Sequence, residues 1–426
     1  MLARLKIWMV IVLLLLSLIV VRFQLVGDSI KLLYFFFVSL FSNPKEIWTQ
    51  FDFSTFDLLT SVLLIFALPL IVYRIRYKWK FLNRSVSLVP FSIIVITIVF
   101  IFAPVITDYH PNFQNSLKVT RFLSPLQTVK KVFLHENQNN SNLGEFSVQK
   151  KKVVRSAVGG SFIYFDNLTV KGDSVIVFQT GSSKAFSKEK IIFENGKPKV
   201  GSKIFLLGTD ELGRDIFSRI IYGARISIVI GVFSVLLSLL LGILFGFIAG
   251  YYGGYYDLVM SRITDMFMTV PSIFFVIMAL AFFGNSLISI IVVLGFSGWM
   301  GLFKIVKGEI VLIKKKDYFI TSKKLKLPVK NLLLKEILPV MIIPVVVNVV
   351  FQFSNVILAE SSLSYLGLGS GLNYPSWGSM ILSGQHYMAK GWWLIAFPGF
   401  ALIITLLTFN LFGEKIKSYY NQTDNT

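Results

Sequence analysis

Apolar runs of about 20 residues recur along this chain, and each is long enough to cross a bilayer. Inside hydrocarbon every backbone N–H and C=O must be bonded within the protein, so such runs are expected to be helices. Eight candidate spans are read: Ile7–Val26, interrupted late by Arg22, then Leu58–Tyr73, Val86–Ile106, Ile226–Ala249, Leu258–Phe283, Leu287–Ile305, Ile337–Leu358 and Trp392–Phe412. The composition agrees, since 54% of the 426 residues are hydrophobic and 41 are Phe, more apolar surface than a soluble domain can hide. Ile30–Phe41 is apolar but too short to span, and is read as lying at the interface. Arg4 and Lys6 precede the first run as in a signal peptide, but no small-residue cleavage site follows, so the run is read as an uncleaved anchor.

The net charge of +20 has an ordinary explanation in a membrane protein, because Lys and Arg collect in cytoplasmic loops near anionic headgroups; no nucleic acid is implied. Clusters fall at Arg4 and Lys6, at Arg74, Arg76, Lys78, Lys80 and Arg84, from Lys304 to Lys335, and at Lys415 and Lys417. With an even number of spans and both termini inside, all of these lie in the cytoplasm. Cysteine is absent, and His110, His135 and His386 are far apart, so no thiolate or histidine metal site is expected.

Residues 108–206 contain no spanning run and would lie outside despite Lys150, Lys151 and Lys152, a position the charge rule tolerates for long translocated segments. Ser161–Phe165, Ser174–Gln179 and Lys190–Glu194 read as strands, Asn195-Gly196 as a turn and Asn137–Asn142 as a loop tip. The segment is expected to be a small β-rich domain, either a spacer or a docking surface for an external binding protein.

An ordered set of motifs follows. Leu207-Gly208-Thr209-Asp210-Glu211-Leu212-Gly213-Arg214-Asp215 leads to Arg219 and to Tyr222-Gly223-Ala224-Arg225-Ile226-Ser227. Then come Ala249-Gly250-Tyr251-Tyr252-Gly253-Gly254, Asp257, Pro271-Ser272, Ile337-Leu338-Pro339, Leu358-Ala359-Glu360-Ser361-Ser362-Leu363, Pro375-Ser376-Trp377-Gly378 and Phe397-Pro398-Gly399. Together with Phe102-Ala103-Pro104 and Pro111-Asn112, this set resembles the C-type permease subunit of dipeptide and oligopeptide ABC importers, across residues 86–115 and 205–417. The resemblance implies an all-α polytopic membrane protein of the type I importer fold, with about eight spans and the β-rich insertion. It implies five segments: two additional N-terminal spans (1–85), the first span of the family core (86–107), the extracytoplasmic domain (108–206), the permease core (207–417) and a cytoplasmic tail (418–426). Its implied partners are a second homologous permease, two ATP-binding subunits and an extracytoplasmic solute-binding protein, in a bacterial inner membrane. No cofactor is expected in this chain: ATP would bind the partner subunits, and no Gly-x-x-x-x-Gly-Lys-Ser/Thr sequence occurs here.

The coupling segment is placed at residues 304–336. In the family a cytoplasmic helix carries a Glu-Ala-Ala motif with Gly four residues after its last Ala. Aligned on Asp317-Tyr318, those positions hold Ile320, Thr321, Ser322 and Lys326, flanked by Lys323 and Lys324. Lys makes the glycine turn less easily, and Pro328 is a second candidate for the break. Asp210, Glu211, Gly213, Arg214, Asp215 and Arg219 are read as a structural cluster that pairs or caps a helix, not as catalytic residues. Arg262 and Asp265, near Asp257, are spaced to pair along one helix face and are candidates for cytoplasmic-end packing or a gate. Glu360, at the outer end of a span, is a candidate for capping or for lining the path. Gly242 and Gly246 are spaced for close helix packing. Two other classes stay open: an ion-coupled secondary transporter, disfavoured by the scarcity of mid-span charge, and a non-transporting membrane scaffold.

Overall fold

The computed structural model describes residues 5–77, 82, 85–135, 144–158, 162–369 and 375–423. Arg4, Lys78, Lys80, Arg84, Asn137–Asn142 and Ser161 lie outside the described residues. The N-terminal half runs α1 Ile7–Val21, α2 Phe23–Ser42, α3 Pro44–Gln50, α4 Phe53–Ile75, α5 Leu88–Ile106, α6 Leu117–Thr120, β1 Gln127–Phe133, α7 Glu145–Val158, β2 Phe162–Phe165, β3 Asn167–Lys171, β4 Ser174–Gln179, β5 Ser182–Ser187, β6 Phe193–Glu194, β7 Lys197–Pro198 and β8 Val200–Phe205. The remainder is helical: α8 Ile216–Tyr252, α9 Gly254–Thr269, α10 Ser272–Phe283, α11 Leu287–Ile313, α12 Asp317–Lys324, α13 Val329–Asn331, α14 Leu338–Tyr365, α15 Trp377–Gln385 and α16 Trp393–Thr423. Among the described residues seven helices are long and apolar enough to cross a membrane, or eight if the bent pair α9–α10 is one span. Two compact units form, residues 1–225 with 383–398, and 226–382 with 399–426.

In the first unit α1, α4 and α5 make a bundle. The Val86 N–H donates to the Leu5 carbonyl at 3.0 Å, which sets the start of α1 beside the start of α5. Pro104 in α5 has no N–H to offer the Phe100 carbonyl one turn back, and Phe102 leaves helical geometry (φ −103°, ψ 18°). Arg225 supplies the missing donor, Nε to the Phe100 oxygen at 2.6 Å. The same guanidinium forks onto the Asp57 carboxylate of α4, with Nη2 at 2.6 Å from Oδ1 and a second bond from Nη1 to Oδ2. An N-terminal helix outside the family-like region thus neutralises an arginine within it.

The insert holds two three-stranded antiparallel sheets, β2-β1-β8 and β3-β4-β5, and the hairpin β6-β7. Its pairings include Lys130↔Phe165, Gln127↔Phe205 and Ile176↔Ala185. Asn195 and Gly196 both take positive φ (52° and 73°), the geometry of a two-residue hairpin turn.

Four expectations are corrected. The first span breaks at Arg22, which is held by Asp108 and by the Ile106 carbonyl (2.8 Å), so α1 has 15 residues. Ile30–Phe41 is not a run too short to span but part of the 20-residue α2, so length alone does not place it at the interface. Only Phe193–Glu194 of the third strand pairs, because Lys188–Lys190 forms a 3-10 turn, and the insert also contains the 14-residue helix α7. The fifth span is two helices bent by 87°. Val270, ahead of Pro271, is pushed to extended backbone (φ −89°, ψ 127°), where no helix continues.

In the second unit α8 lies against α11 along three glycines. A Cβ at Gly242, Gly246 or Gly250 would fall 2.5, 2.8 or 2.9 Å from the Cβ of Leu302, Val306 or Ile310, so only glycine allows this approach. The hydroxyl of Ser238 donates across the seam to the Gly295 carbonyl at 2.6 Å.

Removing Asp57 leaves the largely buried Arg225 charge without a counterion. Asp57→Asn is expected to cost about 3 kcal/mol, read as a lower thermal midpoint of the detergent-purified chain, with most of the loss recovered in Asp57→Asn/Arg225→Met. A midpoint unmoved by Asp57→Asn contradicts the role given to this pair.

Candidate functional site

In the segment between α11 and α14, helix α12 turns one side chain inward, and Leu332 and Ile337 beyond it join the same cluster. Phe319 of α12 is 1% exposed and joins Val306, Ile310 and Ile313 of α11 with Met341 and Val345 of α14 in one apolar cluster. Ser322 donates to Glu336 Oε1 at 3.1 Å, tying α12 to the π-helical turn Leu332–Ile337. Lys314 donates to the carbonyls of Gly250 (3.1 Å) and Tyr251 (2.8 Å) at the C-terminal end of α8, and burial lowers its pKa. The rest of the surface faces out: Tyr318, Ile320, Leu325, Leu327 and Val329 are exposed, as are Asp317, Thr321, Lys323, Lys324, Lys326 and Pro328. Phe319, Glu336 and Lys314 are residues that sequence reasoning missed. Only Phe319 carried a signal, as the one aromatic between charged positions that turns inward.

The turn at the end of α12 is made by Lys326, in left-handed backbone (φ 53°). The Leu327 N–H reaches the Ser322 carbonyl at 3.4 Å and the Lys326 N–H the Lys323 carbonyl at 3.0 Å, the paired bonds of a Schellman cap. Lys326 therefore sits where glycine is favoured, and Pro328 follows as the residue that opens α13.

The cluster before α8 lies in the first unit. Asp210 accepts from the Leu212 and Arg214 amides (2.9 and 2.8 Å) and from Arg214 Nε (2.6 Å), with Arg219 Nε at 3.7 Å. Glu211 meets Arg214 at 3.3 Å, and burial together with the neighbouring Asp210 raises its pKa. Gly213 holds φ 67° against Thr120. Asp215 heads α8, accepting from the Ser218 hydroxyl (2.7 Å) and the Phe217 amide (3.3 Å); burial raises its pKa against these bonds. Asp210 and Asp215, buried and bonded to local donors, fix the entrance of α8, while Glu211 pairs through Oε1 and its buried Oε2 has no hydrogen-bond partner among the described residues.

Glu360 of α14 is fully buried. Ser227 and Ser364 donate to it at 3.1 and 2.7 Å, and Ser376 in turn donates to Ser364 at 3.2 Å. It lies inside α14, which continues to Tyr365, and it joins α8, α14 and the residue before α15. The expected pairing of Arg262 with Asp265 is replaced: Asp265 meets Lys304 of α11 at 3.1 Å, Asp257 meets Lys307, and Arg262 is exposed. The neighbouring helix offers donors closer than the same-face spacing does.

The profile of the inner membrane component of binding-protein-dependent transport systems matches residues 242–422. The dipeptide transport system permease protein DppC of Bacillus subtilis (strain 168) is 38% identical over 211 residues, 49% of this chain and 66% of its own length. The oligopeptide transport system permease protein OppC of Escherichia coli (strain K12) is 37% identical over 217 residues, 51% of this chain and 72% of its own. The di/tripeptide permease protein DppC of Pseudomonas aeruginosa (strain UCBPP-PA14) is 32% identical with the same coverage of 51% and 72%. The chain belongs to this family of inner-membrane transport components. Among solved structures, an amino acid ABC transporter is 13% identical with a TM-score of 0.39, covering 48% of this chain and 94% of that one.

A left-handed Lys stores strain that glycine does not. Lys326→Gly is expected to stabilise the end of α12 by about 1 kcal/mol, read as roughly fivefold slower hydrogen exchange at the Leu327 amide; faster exchange contradicts the assignment.

Proposed function

We propose that this chain is the transmembrane permease subunit of an ATP-driven importer of peptides, moving its substrate by alternating access. It would itself be non-catalytic, with ATP bound and hydrolysed by two partner subunits, a second homologous permease completing the path, and an extracytoplasmic solute-binding protein delivering substrate. Support for peptides comes from relatives named for dipeptides, di/tripeptides and oligopeptides. The family and its named relatives support a bacterial inner-membrane location, and the distribution of Lys and Arg supports cytoplasmic termini.

The observation that carries the reading is the two-faced coupling segment. Its inner side chain, Phe319, is locked among α11 and α14, while its outer surface offers apolar and cationic groups together. Exposed apolar residues on a short cytoplasmic helix fit a partner surface. A push on α12 would pass through Phe319 into two spans at once, and Lys314 would pass it on to the end of α8. The cationic side would meet acidic groups of the ATP-binding subunits and favour their encounter.

Two measurements test this. Purification of the tagged chain in detergent is expected to bring a second permease and ATP-binding subunits with it; transport by the chain alone under an ion gradient contradicts the proposal. In the assembled complex, Lys323→Glu/Lys324→Glu/Lys326→Glu is expected to lower peptide uptake at least tenfold while basal ATP hydrolysis persists. Unchanged uptake removes the basic surface from the mechanism.

A further inference from the structure

Helix α2 satisfies the length and hydropathy of a span, yet both of its ends are fastened to the same end of the bundle. At its start Arg22 is held by Asp108 and by the Ile106 carbonyl, where α5 ends and the insert begins. Further along, Leu32 is buried with Leu58 and Leu59 in the first turns of α4, and the Phe36 ring lies 5.1 Å from Phe51, just before α4. The first turns of α4 and the last turns of α5 are level with each other, since Ser61 donates to the Ile101 carbonyl at 2.8 Å. A 20-residue helix that crossed the bilayer would carry its last residues roughly 30 Å away from Arg22, toward the opposite ends of α4 and α5.

The partner along its length is also wrong for hydrocarbon. Phe146 and Val153 of α7 pack into the same cluster, Gln149 donates to the Asp28 carbonyl at 3.0 Å, and Lys150 pairs with Asp52 at 2.9 Å. Helix α7 belongs to the insert and bears Glu145, Lys150 and Lys151, which are costly at the bilayer centre.

The opposite face of α2 is apolar and bare. Phe23, Ile30, Tyr34, Phe37 and Phe41 follow one another at offsets of seven, four, three and four residues, a single stripe, with Phe23 73% and Phe41 86% exposed. Trp48 of α3 (84%) and Phe53 of α4 (80%) extend it. Leu16, Val20 and Val21 of α1, the helix just before it, are exposed as well, and in a membrane bundle such residues face lipid. Tyr34 and Trp48 carry a polar group on the ring and settle at the headgroup level, while an amphipathic helix lying in that plane turns Phe and Ile toward the acyl chains.

We propose that α2 does not cross the membrane: it lies in the headgroup–acyl boundary of the outer leaflet, with the Phe23–Phe41 stripe in lipid, and docks the insert onto the membrane through α7. The proposal rests on the reading that residues 108–206 are extracytoplasmic, and is independent of what is transported.

The chain has no cysteine, so single thiols report cleanly. Phe23→Cys, Tyr34→Cys, Phe37→Cys and Phe41→Cys, each carrying an environment-sensitive fluorophore, are measured in the full-length chain in phosphatidylglycerol/phosphatidylethanolamine vesicles with spin labels placed shallow or deep in the acyl chains. All four are expected to be quenched more by the shallow label, within twofold of one another. Strong deep quenching at Tyr34 and Phe37 with shallow quenching at Phe23 and Phe41 means a crossing helix and overturns the proposal. A water-like signal without lipid quenching also overturns it, by assigning the stripe to a protein partner. Asn43→Cys, on the exposed turn after α2, and Ser183→Cys, in β5, are labelled in intact cells with an impermeant maleimide. Both are expected to react. Reaction at Ser183→Cys alone overturns the proposal, whereas silence at both until permeabilisation overturns the outer-leaflet assignment through the sidedness of the insert.

Discussion

The seam between α8 and α11 depends on three residues without side chains. Gly242, Gly246 and Gly250 let α11 settle against α8, and the residues they admit, Leu302, Val306 and Ile310, belong to the cluster that holds Phe319. Lipid gives no hydrophobic drive for helices to associate, so contact distance and interhelical hydrogen bonds must hold the seam. Once it is closed, α12 has a fixed floor. Helix α12 is then held to α11 and α14 through Phe319, with its other side exposed.

The first unit answers a different problem. A proline in α5 strands a carbonyl where water is scarce, and Arg225 is brought in to satisfy it. That arginine then needs a counterion, which Asp57 on α4 supplies. Helix α4 is thereby tied by charge to the first turns of α8. The buried carboxylates Asp210, Asp215 and Glu360 follow the same rule: each is surrounded by donors in a place where an unpaired charge would not be tolerated.

Spans were readable because twenty apolar residues have one stable solution in lipid, and residues 174–179 and the Asn195-Gly196 turn were readable because alternation and turn chemistry are local. The interruption at Arg22 showed as a charge late in an apolar run, but the helix end there was not readable, since it is set by Asp108 and a carbonyl more than eighty residues away. Neither was α7, whose apolar Phe146 and Val153 are too few to announce a helix without α2 beside them. The partner of Asp265 was misread because spacing along one helix says nothing of Lys304 on the next. At Lys326 the alignment pointed to a glycine position, and the backbone there is indeed left-handed; what the sequence did not contain was the Schellman cap that makes a lysine tolerable.

Phe319 offers the most direct test of the central claim, that force enters the spans through one buried side chain. In the reconstituted complex with its ATP-binding partners, the number of peptides imported per ATP hydrolysed is to be compared between the native chain and Phe319→Ala, with assembly checked by co-purification. The account predicts that the ratio falls at least fivefold while the complex stays intact. An unchanged ratio in an assembled Phe319→Ala complex would contradict it.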